Sequence, residues 1–465
     1  MISWLHKLLG KDKEDEQPEP GRNHKQDPPA VPANPLEGLE GLRFGRYSDN
    51  NKTLIKSRKW YAAEDLYKEK KYEEALDAIF DYLRDETEDN LHLEKTENGF
   101  KFDLVQGSRK IYGESDGKFI SARVPLAVMQ TPSTAAMRRL LELNYTLYYT
   151  RTALDDKNTL YMVFDSEITT GSPNKIYYGL RELAVKADRQ DDLLLADFPT
   201  LKTADLSHIE QLTDHELDVK YKYFRKWIEE ALRRAEALNA DSFSGAIAYI
   251  LLGTVYRIDF LIAPESKLLS DLERIHNMYW EKKEDIPLIE RNQMMKDAIR
   301  KLLDISRESF ANSVFRAKGT FSMASPAKPE KVKDHIFNAN KDSHWYIDNK
   351  YPDIARLINE YGVLHNQFIY SMPKVQTDIT VIYMAVMHPE FFLELGMKEP
   401  LYDTTNKEFH DEAIKDAIDI AIGRFKDKYN YMKWDHKRVL YDNLYDFGVT
   451  LSEHMANLNL ETKRS

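Results

Sequence analysis

The side chains best suited to acid–base or metal chemistry are four histidines in the second half of the chain, His335, His344, His365 and His388. Imidazole titrates near neutral pH and is a common metal ligand. Two of the four stand beside carboxylates, in Asp334-His335 and Asp342-Ser343-His344, nine residues apart. A metal centre inside a helix bundle needs a carboxylate-x-x-His spacing repeated on two helices. No Glu-x-x-His pair occurs twice, and the His-Glu-x-x-His zinc signature is absent. His388-Pro389-Glu390 opens a helix, where a histidine serves a turn more readily than a metal. Phosphate-cradling glycine loops of either common pattern are missing, and so is a serine nucleophile elbow. The carboxylate pairs Asp155-Asp156 and Asp191-Asp192 lack the alternating oxygen ligands of a calcium loop. These residues predict no cofactor and no bound metal. A metal-dependent enzyme in the helical half stays open only as an alternative.

Tyrosines carry a different kind of chemistry. Tyr145, Tyr148, Tyr149 and Tyr161 fall on two runs that alternate like paired strands, 146–154 and 159–166, with Tyr177 and Tyr178 opening the helix after them. Side chains alternate along a strand, so Tyr148 and Tyr149 cannot both face a core. Tyrosine brings contact area, few rotatable bonds and a polar tip, which favours it at interfaces. The four tyrosines are therefore the candidate partner-binding residues. A second aromatic group, Trp345-Tyr346, Tyr351, Tyr361, Tyr370 and Tyr383, has the spacing of helical-core packing.

Composition limits what the rest can be. The 465 residues carry 66 Lys and Arg against 77 Asp and Glu, a net charge of −11 that disfavours broad nucleic-acid binding. There is no cysteine, which excludes disulfides and thiolate chemistry and fits a cytoplasmic address. Residues 1–10 form a short amphipathic segment. Ile2, Trp4, Leu5, Leu8 and Leu9 lie on one side and His6 and Lys7 away from it, suited to peripheral membrane contact or to a partner groove. Residues 11–56, with Pro18, Pro20, Pro28, Pro29, Pro32 and Pro35 among charged and amide residues, predict a disordered tether.

Order is predicted from residue 57. Trp60, Ala63, Leu66 and Tyr67, then Tyr72, Ala75, Leu76, Ile79, Phe80 and Leu83, give a helical hairpin whose apolar face must pack on the segment C-terminal to it. Short alternating runs at 91–94, 100–104, 110–113 and 119–124 are separated by Asn98-Gly99, Gln106-Gly107 and Asp116-Gly117, the signals of an antiparallel meander. A helix from Pro132, the two tyrosine-bearing strands and a helix over 174–193 complete an α+β domain spanning 57–198. This order resembles the fold of the YbjN and type III secretion chaperone family. The residues that carry the resemblance are Leu140-Leu141-Glu142-Leu143-Asn144-Tyr145, Arg151-Thr152-Ala153-Leu154-Asp155, Leu160-Tyr161-Met162-Val163-Phe164 and the run from Leu180-Arg181-Glu182-Leu183 to Asp188. The resemblance implies a chaperone-like protein binder and self-association as a homodimer through this domain.

Residues 199–465 predict an all-α domain, with helices over 217–238, 243–262, 268–282, 292–315, 352–370, 379–395, 406–428 and 439–458. The Gly, Ser and Pro content of 318–333 predicts an exposed loop. The function expected is that of a non-catalytic protein-binding adaptor. The alternatives are a structural subunit of a larger bacterial assembly and the enzyme named above.

Overall fold

Thr53 begins the first helix, its hydroxyl accepting the Lys56 amide at 3.3 Å, a bond that satisfies one of the orphan donors of a helix start. This helix, α1 (Leu54–Lys68), turns through Lys70, at φ 62°, into α2 (Tyr72–Leu83). The apolar stripe of α2 lies on a sheet, with the Phe80 ring 4.7 Å from Phe102 and 5.3 Å from Phe100. Each such side chain taken from water contributes about 1.5–3 kcal/mol. The sheet contains β1 (Leu91–Thr96), β2 (Gly99–Gln106), β3 (Arg109–Ser115) and β4 (Phe119–Met129). After α3 (Thr134–Asn144) come β5 (Arg151–Leu154) and β6 (Thr159–Glu167), then α4 (Pro173–Asp197) and β7 (Leu201–Thr203). The computed structural model describes residues 34–85, 87–205, 208–281 and 284–462. The segment 1–10, the tether as far as residue 33 and the side chains of Asp191 and Asp192 lie outside the described residues.

The strands run antiparallel in the order β1-β2-β3-β4-β6-β5, with β7 also on β4. One face is apolar, with Phe102, Leu104, Ile111, Val124, Met162 and Phe164 buried under the helices. Gly179 lets α4 lie this close, since a Cβ there would meet the Phe164 ring at 2.3 Å. The opposite face is polar, and the register sets Asp103, Tyr112, Arg123, Val163 and Arg151 in one row across it.

Beyond the sheet the chain is almost wholly helical: α5 (Asp214–Ala237), α6 (Ser244–Ile262), α7 (Ser266–Trp280), α8 (Leu288–Leu302), α9 (Arg307–Ala311), α10 (Pro329–Asp348), α11 (Pro352–Ile369), α12 (Lys374–Met387), α13 (Pro389–Glu394), α14 (Asp411–Gly423) and α15 (Leu444–Ala456). Three two-residue strand pairs interrupt them. Among the described residues α6 is the one helix long and apolar enough to cross a membrane, yet 89% of that stretch is buried inside the protein. It is the axis of the helical core.

Two expectations need correction. Residues 318–333 are an exposed loop only in part, because 319–322 are buried. Thr320 and Phe321 are fully buried and Phe321 belongs to the core under the sheet, while Pro329 already starts α10. Polar composition misled because Gln106 takes the Thr320 and Phe321 amides at 3.2 and 2.9 Å, so the buried backbone is satisfied. Second, residues 35–53 are packed and are no tether. Leu39 is buried in the helical core, the Gly45 amide donates to the Phe260 carbonyl at 2.7 Å, and Arg46 grips Asp259 at 2.9 Å. Leu36, Leu42 and Phe44 pack on the same core, and the charged groups add further anchors. Residues 57–198 have a hydrophobic core of their own, to which Leu201 and Phe321 are the buried contributions from outside the segment. Residues 35–465 form one compact unit, and the core of the α+β part is completed by Phe321.

Candidate partner-binding surface

Between α3 and β5 the chain makes a loop, 145–150, where continuous strand was expected. The strand begins only at Arg151 because the preceding amides have another acceptor. The Glu182 carboxylate of α4 accepts from the amides of Tyr148 at 2.9 Å, Tyr149 at 2.7 Å and Thr150 at 2.9 Å, and from the Thr150 hydroxyl at 3.0 Å. Hydrogen bonds to an ionised acceptor are about twice as strong as neutral ones. Burial pushes the Glu182 carboxyl up, but these donors outweigh it and hold its pKa below the usual value.

One outward amide of the β5 edge is also taken. The Asp155 amide bonds the Thr159 carbonyl at 3.1 Å, so by the alternation of antiparallel ladders Thr152 and Leu154 turn their backbone groups away from β6. Asn144 Oδ1 takes the outward Thr152 amide at 2.7 Å. The loop also turns large side chains to solvent. Tyr145 is 94% exposed, Tyr148 91% and Tyr149 43%, and Leu141 and Leu154 flank them at 69% and 44%. Because both Tyr148 and Tyr149 lie in the clamped loop, neither is drawn into the core. Tyr161 stands apart, half-buried on the polar face of β6 with the Arg123 guanidinium 5.8 Å from its ring centre. Three of the four expected tyrosines thus share one surface and the fourth does not. Glu182 and Asn144, which shape that surface, carry no periodicity or motif that would reveal the role.

The histidines divide differently. His335 and His365 pack 4.7 Å apart, and His365 also stacks on Trp280 at 5.5 Å. The Nδ1 atom of His335 bonds Asn366 Oδ1 at 2.9 Å. Burial drives His365 down to about 3, helped by His335 and His276. His388 bonds Glu360 at 2.9 Å, and Arg257 bonds the same carboxylate at 2.6 Å inside the helical core. His344 meets the Tyr445 hydroxyl at 3.2 Å. Among the described residues no group of three or more His, Asp or Glu is arranged to hold a metal ion. Asp155 caps its own turn, accepting the Lys157 and Thr159 amides at 2.9 and 2.7 Å. Trp345 and Tyr351, expected in the helical core, are 53% and 38% exposed, whereas Tyr383 is fully buried.

No protein-family model matches this chain, and no curated protein matches it at a significant level.

Proposed function

We propose that this protein is a non-catalytic, cytoplasmic adaptor that captures a partner protein through the tyrosine loop between α3 and β5. One observation carries the reading. Tyr145 and Tyr148 are more than nine-tenths exposed, and Glu182 fixes the backbone amides of Tyr148 and of the half-exposed Tyr149 beside it. Exposing large rings costs solvation without return in an isolated protein, while a pre-ordered loop lowers the entropy lost on binding. Tyrosines so presented are suited to be the anchors of an interface. The order of helices and strands supports a secretion-chaperone-like module over 58–198. Self-association through this domain would use the same side chains.

A photo-crosslinking residue at Tyr148 tests the reading. In native lysate it should give one dominant adduct, identifiable by mass spectrometry, that the same probe at Tyr161 does not give. Equal labelling from both positions, or none from Tyr148, would exclude the loop as the capture surface.

A further inference from the structure

The chain between α14 and α15 is pinned to α15 through one imidazole. His454, on α15, is buried, and its Nε2 accepts the Asp435 amide at 2.9 Å. Further along, the Leu440 amide donates to the Thr450 hydroxyl of the same helix at 3.0 Å. On the α14 side, His436 Nε2 meets Asp419 at 2.9 Å. The Trp434 ring lies against His454, with centres 4.1 Å apart, and 6.5 Å from His436. Three nitrogens of these rings, Trp434 Nε1, His436 Nδ1 and His454 Nδ1, are buried without a hydrogen-bond partner among the described residues. Buried polar atoms left in this way oppose closure, since solvent would satisfy each of them. The segment is therefore held by few bonds against a standing cost, which places it at the low-stability end of the fold.

The tautomer decides what a proton does here. A backbone amide can only donate, so His454 Nε2 must carry a lone pair, and the ring proton of the neutral imidazole sits on Nδ1. A second proton can enter only at Nε2, where it would face the Asp435 N–H, donor against donor. We propose that His454 is an acid-released clasp: neutral, it holds residues 434–440 on α15, and protonated, it lets them swing away and bares Trp434. The charged and titratable groups facing it are Asp435, His436 and Arg438, all in the segment. Of the other neighbours, α11 and α12 bring the neutral Asn359 and Gln376 to α15, and Glu453 is turned to Asn340 of α10. Burial lowers the His454 pKa, with Arg438 and His436 adding to the fall and Asp435 opposing it. An imidazole depressed in the closed state favours closure above its ordinary pKa, and that contribution is lost as pH falls from there toward the lowered value. The segment is thus closed at neutrality and loosened in mild acid.

Hydrogen exchange of the full chain, read on peptides within 433–441 and corrected for intrinsic rate, tests this. From about pH 7.5 to about pH 5.5 the wild-type segment should lose about tenfold in protection, the factor for one proton taken up near pH 6.5 only when open. His454→Gln, whose amide oxygen can still accept from Asp435, should keep equal protection at both values. A wild-type segment with no change, or a His454→Gln segment that loosens as the wild type does, overturns the clasp. Should His454→Gln fail to fold, His436→Gln decides, because His436 is the other imidazole on the segment and is partly exposed. Loosening that persists in that variant supports His454 as the titrating group, and loosening that vanishes overturns the proposal.

Discussion

A single carboxylate, Glu182, converts a run with strand alternation into a presenting loop. Its replacement by alanine removes hydrogen bonds of the charged kind, each worth about 1.5–3 kcal/mol in a buried setting and less here because the loop is partly exposed. A loss of about 1–3 kcal/mol in urea unfolding is expected, with amide protection at 148–150 lost first. The same clamp has a pH dependence. Since the Glu182 pKa is held below 4.5, its contribution is present above that ordinary value and fades as pH falls through the lowered one. Exchange at these amides should therefore rise in acid, while Glu182→Gln shows no such rise. A second residue-scale expectation concerns Glu360, which lies buried between Arg257 and His388. Glu360→Leu strands the guanidinium without its counter-charge and should cost about 3–5 kcal/mol in thermal or urea unfolding. A cost below about 1 kcal/mol would mean that Arg257 finds another acceptor.

At the scale of elements, the meander was readable because its turns are chemically explicit. Asn98-Gly99 and Asp116-Gly117 fall where β1–β2 and β3–β4 reverse, with Gly117 at φ 81°. The hairpin α1–α2 and most helices of the second half follow from apolar spacing and from capping residues such as Thr53, Ser133 and Ser172. What the sequence hides is decided by distant partners. Thr146-Leu147-Tyr148-Tyr149-Thr150 has the alternation of a strand, but the Leu143 and Asn144 carbonyls take its first two amides and Glu182, on α4 beyond β5 and β6, takes the next three. Residues 318–322 have a loop's composition, yet Gln106 and Val105 receive their polar groups. Phe321 is the measurable consequence. Phe321→Ala should destabilise by about 3–5 kcal/mol through the cavity left under the sheet, and the loss should appear in near-ultraviolet circular dichroism of the whole chain.

For the whole molecule, the two halves form one compact unit, joined in part by a strap, residues 35–53. The strap, the 317–322 segment and α4 knit them: Arg181 reaches the Ser322 carbonyl at 3.0 Å, Tyr177 reaches Asp49 at 3.2 Å, and Ser48 and Ser322 both bond Ser371, at 2.7 and 2.8 Å. A fragment covering 57–198 lacks Phe321, and it leaves Gln106 and Asn90 without their partner Thr320. It should be expanded or insoluble, whereas the chain from residue 35 should unfold in a single transition. A folded, monodisperse 57–198 fragment would contradict this. The helical half, larger than the sheet domain, braces α4 and the sheet through residues 321–322.

The most direct test of the adaptor reading is affinity capture of the crosslink-identified partner by the wild type and by a Tyr145→Ala, Tyr148→Ala, Tyr149→Ala variant. Alanine at these positions leaves the amides on Glu182 and the core untouched, so stability should shift by no more than about 0.5 kcal/mol. Partner recovery should fall at least about tenfold, as expected when interface anchors worth about 1.4 kcal/mol or more are removed. Undiminished recovery by a variant of unchanged stability would contradict the claim that the tyrosine loop is the binding surface.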